Sequence, residues 1–189
     1  MVFSDEDLPE EGKDHNKALN ITVSCGNDAL ASVLVDTGSS LNIMPKSRLA
    51  RLSFQGTPMR ASEVIVKAFD GSKKAVIGEV DLPVTIGPHT FQITFQVMDI
   101  QAAYSCLLGR PWIHEAGAVT STLHQKLKFV KNNKMVTVYG ERALNVSNLS
   151  SFSYSEPDEG SKTPVKISTE NDKDRSKEGT SIVSYKDAL

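Results

Sequence analysis

The sequence predicts an all-β domain, either a small barrel or a sandwich, with one or two short helices. Three observations predict this fold class. Apolar and polar residues alternate in several short segments, turn-forming residues separate those segments at intervals of about ten residues, and helical signals are confined to two brief stretches. Such a pattern favours a single hydrophobic core between short strands.

The alternation is clearest around residues 90–97, where Phe91, Ile93, Phe95 and Val97 are separated by threonine and glutamine. Further strands are predicted by the same criterion over residues 19–25, 31–35, 64–69, 75–77, 82–86, 127–130 and 135–139. Turns are predicted at Asp70-Gly71, at Gly87-Pro88 and at Lys131-Asn132-Asn133-Lys134.

Two prolines mark the predicted helices. Pro45 begins one that extends through Leu52, and Pro111 begins another that Gly117 ends. Proline suits the first turn of a helix, where its missing N–H has no intrahelical partner, and glycine suits the end.

Composition divides the chain into three parts. Residues 1–18 carry six acidic residues against two lysines, and we predict an acidic, flexible N-terminal segment. Residues 151–189 are polar, rich in both signs of charge and without apolar periodicity, and we predict a disordered C-terminal tail. Residues 19–150 have the length of one ordinary domain, which is enough to bury a core without disulfides.

Several functional classes are excluded by composition. Cys25 and Cys106 are too few for a disulfide framework or a zinc cluster, and His114 and His124 lack a third ligand at a recurring spacing, so we expect no metal and no cofactor. The N-terminus lacks the features of a signal peptide, the longest uncharged run of the core is too polar to span a membrane, and the basic residues form no dense patch. We therefore expect an intracellular protein that is not secreted and binds neither membrane nor nucleic acid.

One tripeptide, Asp36-Thr37-Gly38, directly follows the apolar strand at residues 31–35. Taken alone, it is best explained as a turn in which Asp36 accepts backbone hydrogen bonds and Gly38 has a positive φ. The context changes this interpretation. About seventy residues later the apolar pair Leu107-Leu108 precedes Gly109, and this pairing is found in aspartic proteases.

Here the chain resembles the retropepsin-like aspartic proteases, specifically the protease segment of plant gypsy-class retrotransposon polyproteins. The matching stretches are VLVDTGSSLNIMP, VKAFDGSKKAVIGEVDLPV and YSCLLGRPWIHEAGAVTSTLHQKLKF, and the resemblance covers roughly residues 15–150. It implies a closed β-barrel of the retropepsin type and an endopeptidase whose substrate is a polypeptide, namely the polyprotein in which it is encoded.

The resemblance also implies roles for individual residues. Asp36 would be the catalytic carboxylate, Thr37 would hydrogen-bond across a dimer, and Gly38 would let the substrate backbone approach closely. A flap that covers the bound peptide would be formed by four residues, Phe69, Asp70, Gly71 and Ser72. The residues that would support the catalytic loop are Ser39, Leu107, Leu108, Gly109 and Arg110.

Two positions depart from the family pattern. Ser39 stands where retropepsins usually have alanine, and a hydroxyl donating to Asp36 would stabilise the charged carboxylate. This predicts a pH optimum on the acid side of that of a Ser39→Ala variant. Ser40 stands where many retroviral members have an acid that pairs with the helix arginine, so Arg110 needs another partner.

Stoichiometry follows from the single Asp-Thr-Gly of the chain. Peptide hydrolysis by carboxylates needs two of them around one water, so we expect a twofold symmetric homodimer with one Asp36 from each subunit. Two alternatives stay open. The domain could be a catalytically inactive dimerisation or interaction module left from a decayed element, or a protease that is latent until its flanking segments are cut.

Overall fold

The computed structural model describes residues 1–53, 58–62, 64–67, 73–141 and 154–155. The predicted flap, residues 69–72, lies outside the described residues, as does nearly all of the predicted C-terminal tail. Within the described ranges the chain forms twelve strands, two short α-helices and one turn of 3₁₀ helix at Asp5–Asp7.

The strands, in chain order, are β1 Asn20–Cys25, β2 Asp28–Val35, β3 Ile43–Pro45, β4 Ile65–Lys67, β5 Lys73–Ala75, β6 Gly78–Ile86, β7 His89–Met98, β8 Cys106–Leu108, β9 Val119–Ser121, β10 Lys126–Lys131, β11 Lys134–Tyr139 and β12 Tyr154–Ser155. The helices are α1 Lys46–Leu49 and α2 Arg110–Glu115. Both helices begin beside the prolines that predicted them, with Pro45 as the N-cap of α1 and Pro111 in the first turn of α2.

Six strands close into a barrel in the order β1-β2-β8-β3-β7-β6. Strand β2 runs parallel to β8 and β3 runs parallel to β7, whereas the other neighbours are antiparallel. The prediction of an all-β fold with a small closed barrel and short helices is confirmed, and the barrel rather than the sandwich is the observed form.

The barrel core follows from the alternation in the sequence. Along β6 every second residue from Gly78 to Ile86 is buried, and β7 buries Phe91, Ile93 and Phe95 in the same way. The two strands pair in unbroken register from Gly78↔Val97 to Ile86↔His89. A period of two therefore places all their apolar side chains on one face.

A second sheet, β12-β11-β10-β9, packs on the barrel. Its buried residues belong to the same hydrophobic cluster as the barrel core and are Leu127, Phe129, Val136 and Val138. Phe91 of the barrel meets Phe129 at a ring-centroid distance of 5.7 Å and Trp112 of α2 at 5.9 Å, both edge to face. The barrel, the second sheet and α2 thus share one core.

Four strands were not predicted, namely β3, β8, β9 and β12, and β12 lies in the tail that we predicted to be disordered. Each has two or three residues, which is too short for alternation to be recognised. Their strand conformation depends on the neighbouring strands, because the backbone groups of such a short segment form hydrogen bonds only with those neighbours.

The N-terminal segment, which we predicted to be flexible, lies against the outer face of β10. Asp7 pairs with Lys126 at 3.0 Å and with Lys128 at 2.8 Å, and Lys128 also donates to the carbonyl of Val2. The ring of Phe3 lies 4.6 Å from Lys128 Nζ. The acidic composition therefore matches a basic surface of the same chain, a complementarity that only tertiary structure reveals.

Candidate active site

Asp36 lies at the end of β2, where that strand runs beside β8. The parallel register pairs Val35 with Leu108, and the backbone N–H of Asp36 donates to the carbonyl of Leu108 at 3.0 Å. Leu107 is 6 % exposed and Leu108 is fully buried. The structure thus brings together two segments that are about seventy residues apart in sequence, and it packs apolar side chains beneath the loop that begins at Asp36.

Among the described residues, one group donates to the carboxylate of Asp36. The backbone N–H of Gly38 donates to Oδ1 at 2.8 Å, and the N–H of Ser39 donates to the backbone carbonyl of Asp36 at 3.3 Å. No residue in the described part of the chain donates to Oδ2. The turn that the tripeptide alone suggested is present in these hydrogen bonds, although Gly38 does not have a positive φ. One carboxylate oxygen is fixed and the other is available.

Thr37 and Gly38 are exposed, and Asp36 is half-buried. Within the described ranges the Thr37 hydroxyl has no hydrogen-bond partner. An ideal Cβ at Gly38 would lie 3.1 Å from Asp36 Oδ1, so the absence of a side chain keeps the approach to the carboxylate clear.

Arg110 has the partners that the sequence left undefined. Its Nη1 donates to the carbonyl oxygens of Thr37 at 3.1 Å and of Gly38 at 2.8 Å, and its backbone N–H donates to the carbonyl of Ser39 at 2.9 Å. The guanidinium therefore binds the backbone of the Asp36 loop, and it does not need the carboxylate partner that the family pattern led us to expect. A guanidinium has donors and no acceptor, so backbone carbonyls are suitable partners for it. Arg110 as a whole provides hydrogen bonds to three backbone carbonyls of the loop.

Asn42 is a supporting residue that the sequence analysis missed. Its side chain is 4 % exposed; Oδ1 accepts from the N–H of Gly109 at 2.9 Å and Nδ2 donates to the carbonyl of Thr94 at 3.1 Å. Asn42 thus joins the end of the Asp36 loop to β7 and to the residue that precedes α2. The only signal that the sequence offered is a polar asparagine between the apolar residues Leu41 and Ile43.

Gly109 is placed where no side chain fits. A Cβ there would overlap the carbonyl oxygen of Leu41 and would lie 2.9 Å from that of Ser39. The glycine of the Leu-Leu-Gly stretch is required for this close backbone approach. Together with Leu107, Leu108 and Arg110 it forms a rigid support under the loop.

The hydroxyl of Ser39 points away from the role that we expected for it. It donates to the carbonyl of Leu41 at 2.9 Å and accepts from the N–H of Leu41 at 3.3 Å, so its proton is not given to Asp36. Serine hydroxyls commonly close such local turns because the backbone partners are two residues away. The predicted acid shift relative to Ser39→Ala therefore loses its structural basis, and Ser39 belongs to the loop's scaffold.

Two further side chains bear on the chemistry of this region. Burial raises the pKa of Tyr104, and the negative charge of Asp36 raises it further, which places this half-buried phenol in the electrostatic surroundings of the carboxylate. Burial raises the pKa of Cys106 to about 12, so this fully buried thiol is protonated at neutral pH and is no nucleophile.

Among the described residues, no three His, Cys, Asp or Glu side chains come close enough to share a metal ion. Nor does any helix in the described ranges have the length and apolar character needed to cross a membrane. The chemistry available around Asp36 is that of a carboxylate, a backbone-bound guanidinium and a phenol.

The chain is similar to known proteins in both sequence and structure. Residues 20–112 match the sequence model of a family described as aspartyl protease, and this range contains both Asp36 and Arg110. The retroviral protease-like domain of Ddi1 from Leishmania major has a similar structure, with a TM-score of 0.52 and 14 % identity over 70 % of this chain and 100 % of that chain. The barrel has the retropepsin-like aspartic protease fold.

Two other solved structures resemble the retropepsin-like domain. The EIAV protease in complex with the inhibitor HBY-793 gives a TM-score of 0.48 at 18 % identity, covering 57 % of this chain and 96 % of that chain. A retropepsin-like aspartic protease from Rickettsia conorii gives 0.39 at 20 % identity, covering 61 % and 80 %. No curated protein matches the sequence.

Proposed function

We propose that the protein is an aspartic endopeptidase that works as a homodimer, with one Asp36 from each subunit. The observation that carries this proposal is the state of the Asp36 carboxylate. It stands at the end of a barrel strand, its Oδ1 is fixed by Gly38, and no described residue donates to its Oδ2. The match of residues 20–112 to the aspartyl protease family supports the same reaction class.

The need for a second subunit comes from chemistry. Two carboxylates that share one proton can act in opposite senses: the ionised one removes a proton from water as the water attacks, while the protonated one donates to the substrate carbonyl. The chain has a single Asp-Thr-Gly. Thr37 and Gly38 follow Asp36 directly and are exposed, so the same loop of a second copy could approach them.

The pair would titrate as a unit, because two carboxylates in contact cannot both ionise at ordinary cost. We therefore expect activity to be highest in acidic to mildly acidic solution. We expect the substrate to be a polypeptide bound in extended form. The predicted flap, which joins β4 and β5, would cover the bound polypeptide.

The test uses the full chain, a mixed peptide pool and a statine-type inhibitor across a range of pH. Asp36→Asn is expected to abolish cleavage, and the exposed Asp99→Asn is the matched control that should retain it. Cleavage should be blocked by the inhibitor and should fall with the square of protein concentration below the dimerisation constant. Full activity in a strictly monomeric peak on gel filtration would refute the dimer.

The other outcomes identify the alternatives. Activity that appears only in a trimmed form, residues 15–150, would show a latent protease. No activity in either form, with Asp36→Asn unchanged in every measured property, would instead show an interaction module that retains the fold.

We further propose that the natural substrate is the polyprotein of a retrotransposon of the plant gypsy class, and that cleavage takes place inside the cell, in the cytoplasm or in the particle of the element. The resemblance of the three sequence stretches supports this origin. Coexpressing the chain with the polyprotein of such an element tests it. Wild type should cleave the polyprotein and Asp36→Asn should not; a polyprotein that stays intact with both would exclude this substrate.

A further inference from the structure

Strand β2, which leads directly into Asp36, is irregular a few residues before that aspartate. The register between β1 and β2 shifts by one residue in the middle of β1, so that Thr22 faces two residues of β2, Ala31 and Ser32. This arrangement is a β-bulge, in which the longer strand carries one extra residue that does not fit the regular ladder. Bulges redirect the side chains that follow them in the strand.

The bulge changes which side chains of β2 face the barrel core. Before the bulge Leu30 is buried, and a period of two would direct residues 32, 34 and 36 to the same side. After the bulge the buried residues are instead Val33 and Val35. Asp36 therefore does not continue the row of side chains that enter the apolar core, and its carboxylate stays accessible.

The backbone at the bulge has an unfavourable conformation. Ser32 has a φ of 56°, in the region where a Cβ crowds the backbone and which favours glycine. All other residues with a positive φ in the described ranges lie outside the strands. A residue in such a conformation persists only where the surrounding contacts hold it.

Glu141, which lies 109 residues after Ser32, provides these contacts. Its Oε1 accepts the N–H of Ser32 at 2.7 Å and the hydroxyl of Thr22 at 2.6 Å. One carboxylate oxygen thus binds both sides of the bulge and satisfies the N–H of the residue with the positive φ. The backbone of Glu141 is itself fixed, because its N–H donates to the carbonyl of Asn20 in β1 at 2.7 Å.

Beyond the bulge, β2 is bonded to β8 as far as the aspartate. The carbonyl of Ser32 accepts the N–H of Ser105 at 2.9 Å, and the N–H of Asp36 donates to the carbonyl of Leu108 at 3.0 Å. Between these two bonds the strands pair in unbroken parallel register. The position of the bulge therefore determines which residue of β8 lies beside Asp36.

We propose that Glu141 is a positioning residue, which holds the bulge at Ser32 and thereby keeps the Asp36 carboxylate out of the barrel core and in register with β8. This inference rests on the proposed endopeptidase function. Glu141 lies outside residues 20–112, the range that matches the aspartyl protease family. A carboxylate that is displaced from its working geometry slows the chemical step, so the effect is expected in kcat more than in KM.

The experiment compares Glu141→Ala, Glu141→Gln and the control Glu115→Ala in the full chain, well below the temperature at which each variant unfolds. Glu115 is exposed, and its side chain has no hydrogen bond or ion pair in the described part of the chain. We expect Glu141→Ala to lower kcat about tenfold with KM within about twofold, and Glu115→Ala to match wild type. Glu141→Gln keeps an oxygen acceptor for both donors and should stay within about threefold of wild type.

A wild-type kcat in Glu141→Ala would overturn the proposal, and so would equal losses in Glu141→Ala and Glu141→Gln.

Glycine at the bulge provides a second test. Because glycine adopts a positive φ without crowding, Ser32→Gly should reduce the dependence on Glu141. The double variant Ser32→Gly/Glu141→Ala is expected to have a kcat about threefold or more above that of Glu141→Ala. No recovery in the double variant would show that Glu141 does not act through the bulge. If Glu141→Ala does not fold, the double variant should fold, and its failure to do so would equally contradict the proposal.

Hydrogen exchange gives a readout that does not depend on activity. The amides of Asp36 and Ser105, which bond between β2 and β8, should exchange about tenfold faster in Glu141→Ala, whereas those of β6 and β7 should be unchanged. Unaltered exchange at Asp36 and Ser105 would overturn the proposal. If wild type and Glu115→Ala are both inactive, the proposed function fails, and the exchange measurement alone decides whether Glu141 holds the strand.

Discussion

Arg110 Nη1 lies 2.8 Å from the carbonyl oxygen of Gly38, and this contact joins the start of α2 to the loop that carries Asp36. The same nitrogen reaches the carbonyl of Thr37 at 3.1 Å. A cation held by two backbone carbonyls fixes the path of the loop regardless of the side chains in it. Arg110 therefore needs no acidic partner at position 40, where the chain has Ser40.

Replacing Arg110 by alanine should reduce both stability and activity. Hydrogen bonds that involve a charged group each contribute about 1.5–3 kcal/mol to stability, and displacement of the Asp36 loop should lower kcat/KM roughly 10- to 100-fold. Arg110→Lys should recover part of this, since an ammonium keeps the charge but reaches the two carbonyls less well. Steady-state kinetics and circular dichroism measure the two effects. Wild-type activity in Arg110→Ala, with Arg51→Ala as the matched control, would contradict it.

Asn42→Ala should destabilise the domain strongly. It removes the amide group of a side chain that is 4 % exposed, and it leaves the N–H of Gly109 and the carbonyl of Thr94 without their hydrogen bonds. A buried polar group left unpaired costs about 1–3 kcal/mol. Urea unfolding should show a loss of at least that size. The exposed Asn16→Ala, which shares the chemistry of the change, should unfold as wild type does; equal midpoints for both variants would refute the role of Asn42.

The two glycines of the site should respond differently to alanine. At Gly109 the new Cβ meets backbone carbonyls that cannot move aside, so Gly109→Ala is expected to lose about 3 kcal/mol or more of stability, or not to fold. At Gly38 the Cβ meets only Asp36 Oδ1 at 3.1 Å. Gly38→Ala should therefore fold normally and lose peptidase activity. Thermal unfolding with activity assays separates the two, and a fully active Gly38→Ala would show that the carboxylate does not need this clearance.

The contact of Asp7 with β10 should make stability depend on pH. Burial raises the pKa of this carboxyl, but hydrogen bonds from Lys128 and Lys126 outweigh burial and hold the pKa at about 2 instead of 3.8. A carboxyl with a depressed pKa in the folded state stabilises above its unfolded pKa and loses that contribution as pH falls. Wild type should thus exceed Asp7→Asn by about 1 kcal/mol at pH 6, after allowance for partial exposure, and the difference should shrink between pH 4 and pH 2.

Urea midpoints of wild type and Asp7→Asn across this pH range measure the effect. The exposed Asp14→Asn is the control and should follow wild type throughout. A difference that stays constant down to pH 2 would show that the carboxylate charge is not the cause.

The sequence by itself determined the elements whose information is local. Alternation predicted β6 and β7, and prolines predicted the starts of α1 and α2. These two inferences need only residue spacing and the period of a strand. The expectation of a catalytic carboxylate at Asp36 came from the resemblance to aspartic proteases, and the expectation of a second subunit came from the single Asp-Thr-Gly of the chain.

Tertiary structure alone decided the rest, because the deciding contacts join residues far apart in the chain. Strands β3 and β8 have three residues each and form only between their neighbours. The contacts of Arg110 with Gly38, of Asn42 with Gly109 and Thr94, and of Asp7 with Lys128 join residues between 52 and 121 positions apart, and no periodicity encodes such pairs. The hydroxyl of Ser39 also donates to the backbone carbonyl of Leu41 and not to Asp36, because serine hydroxyls commonly bond to backbone groups two residues away.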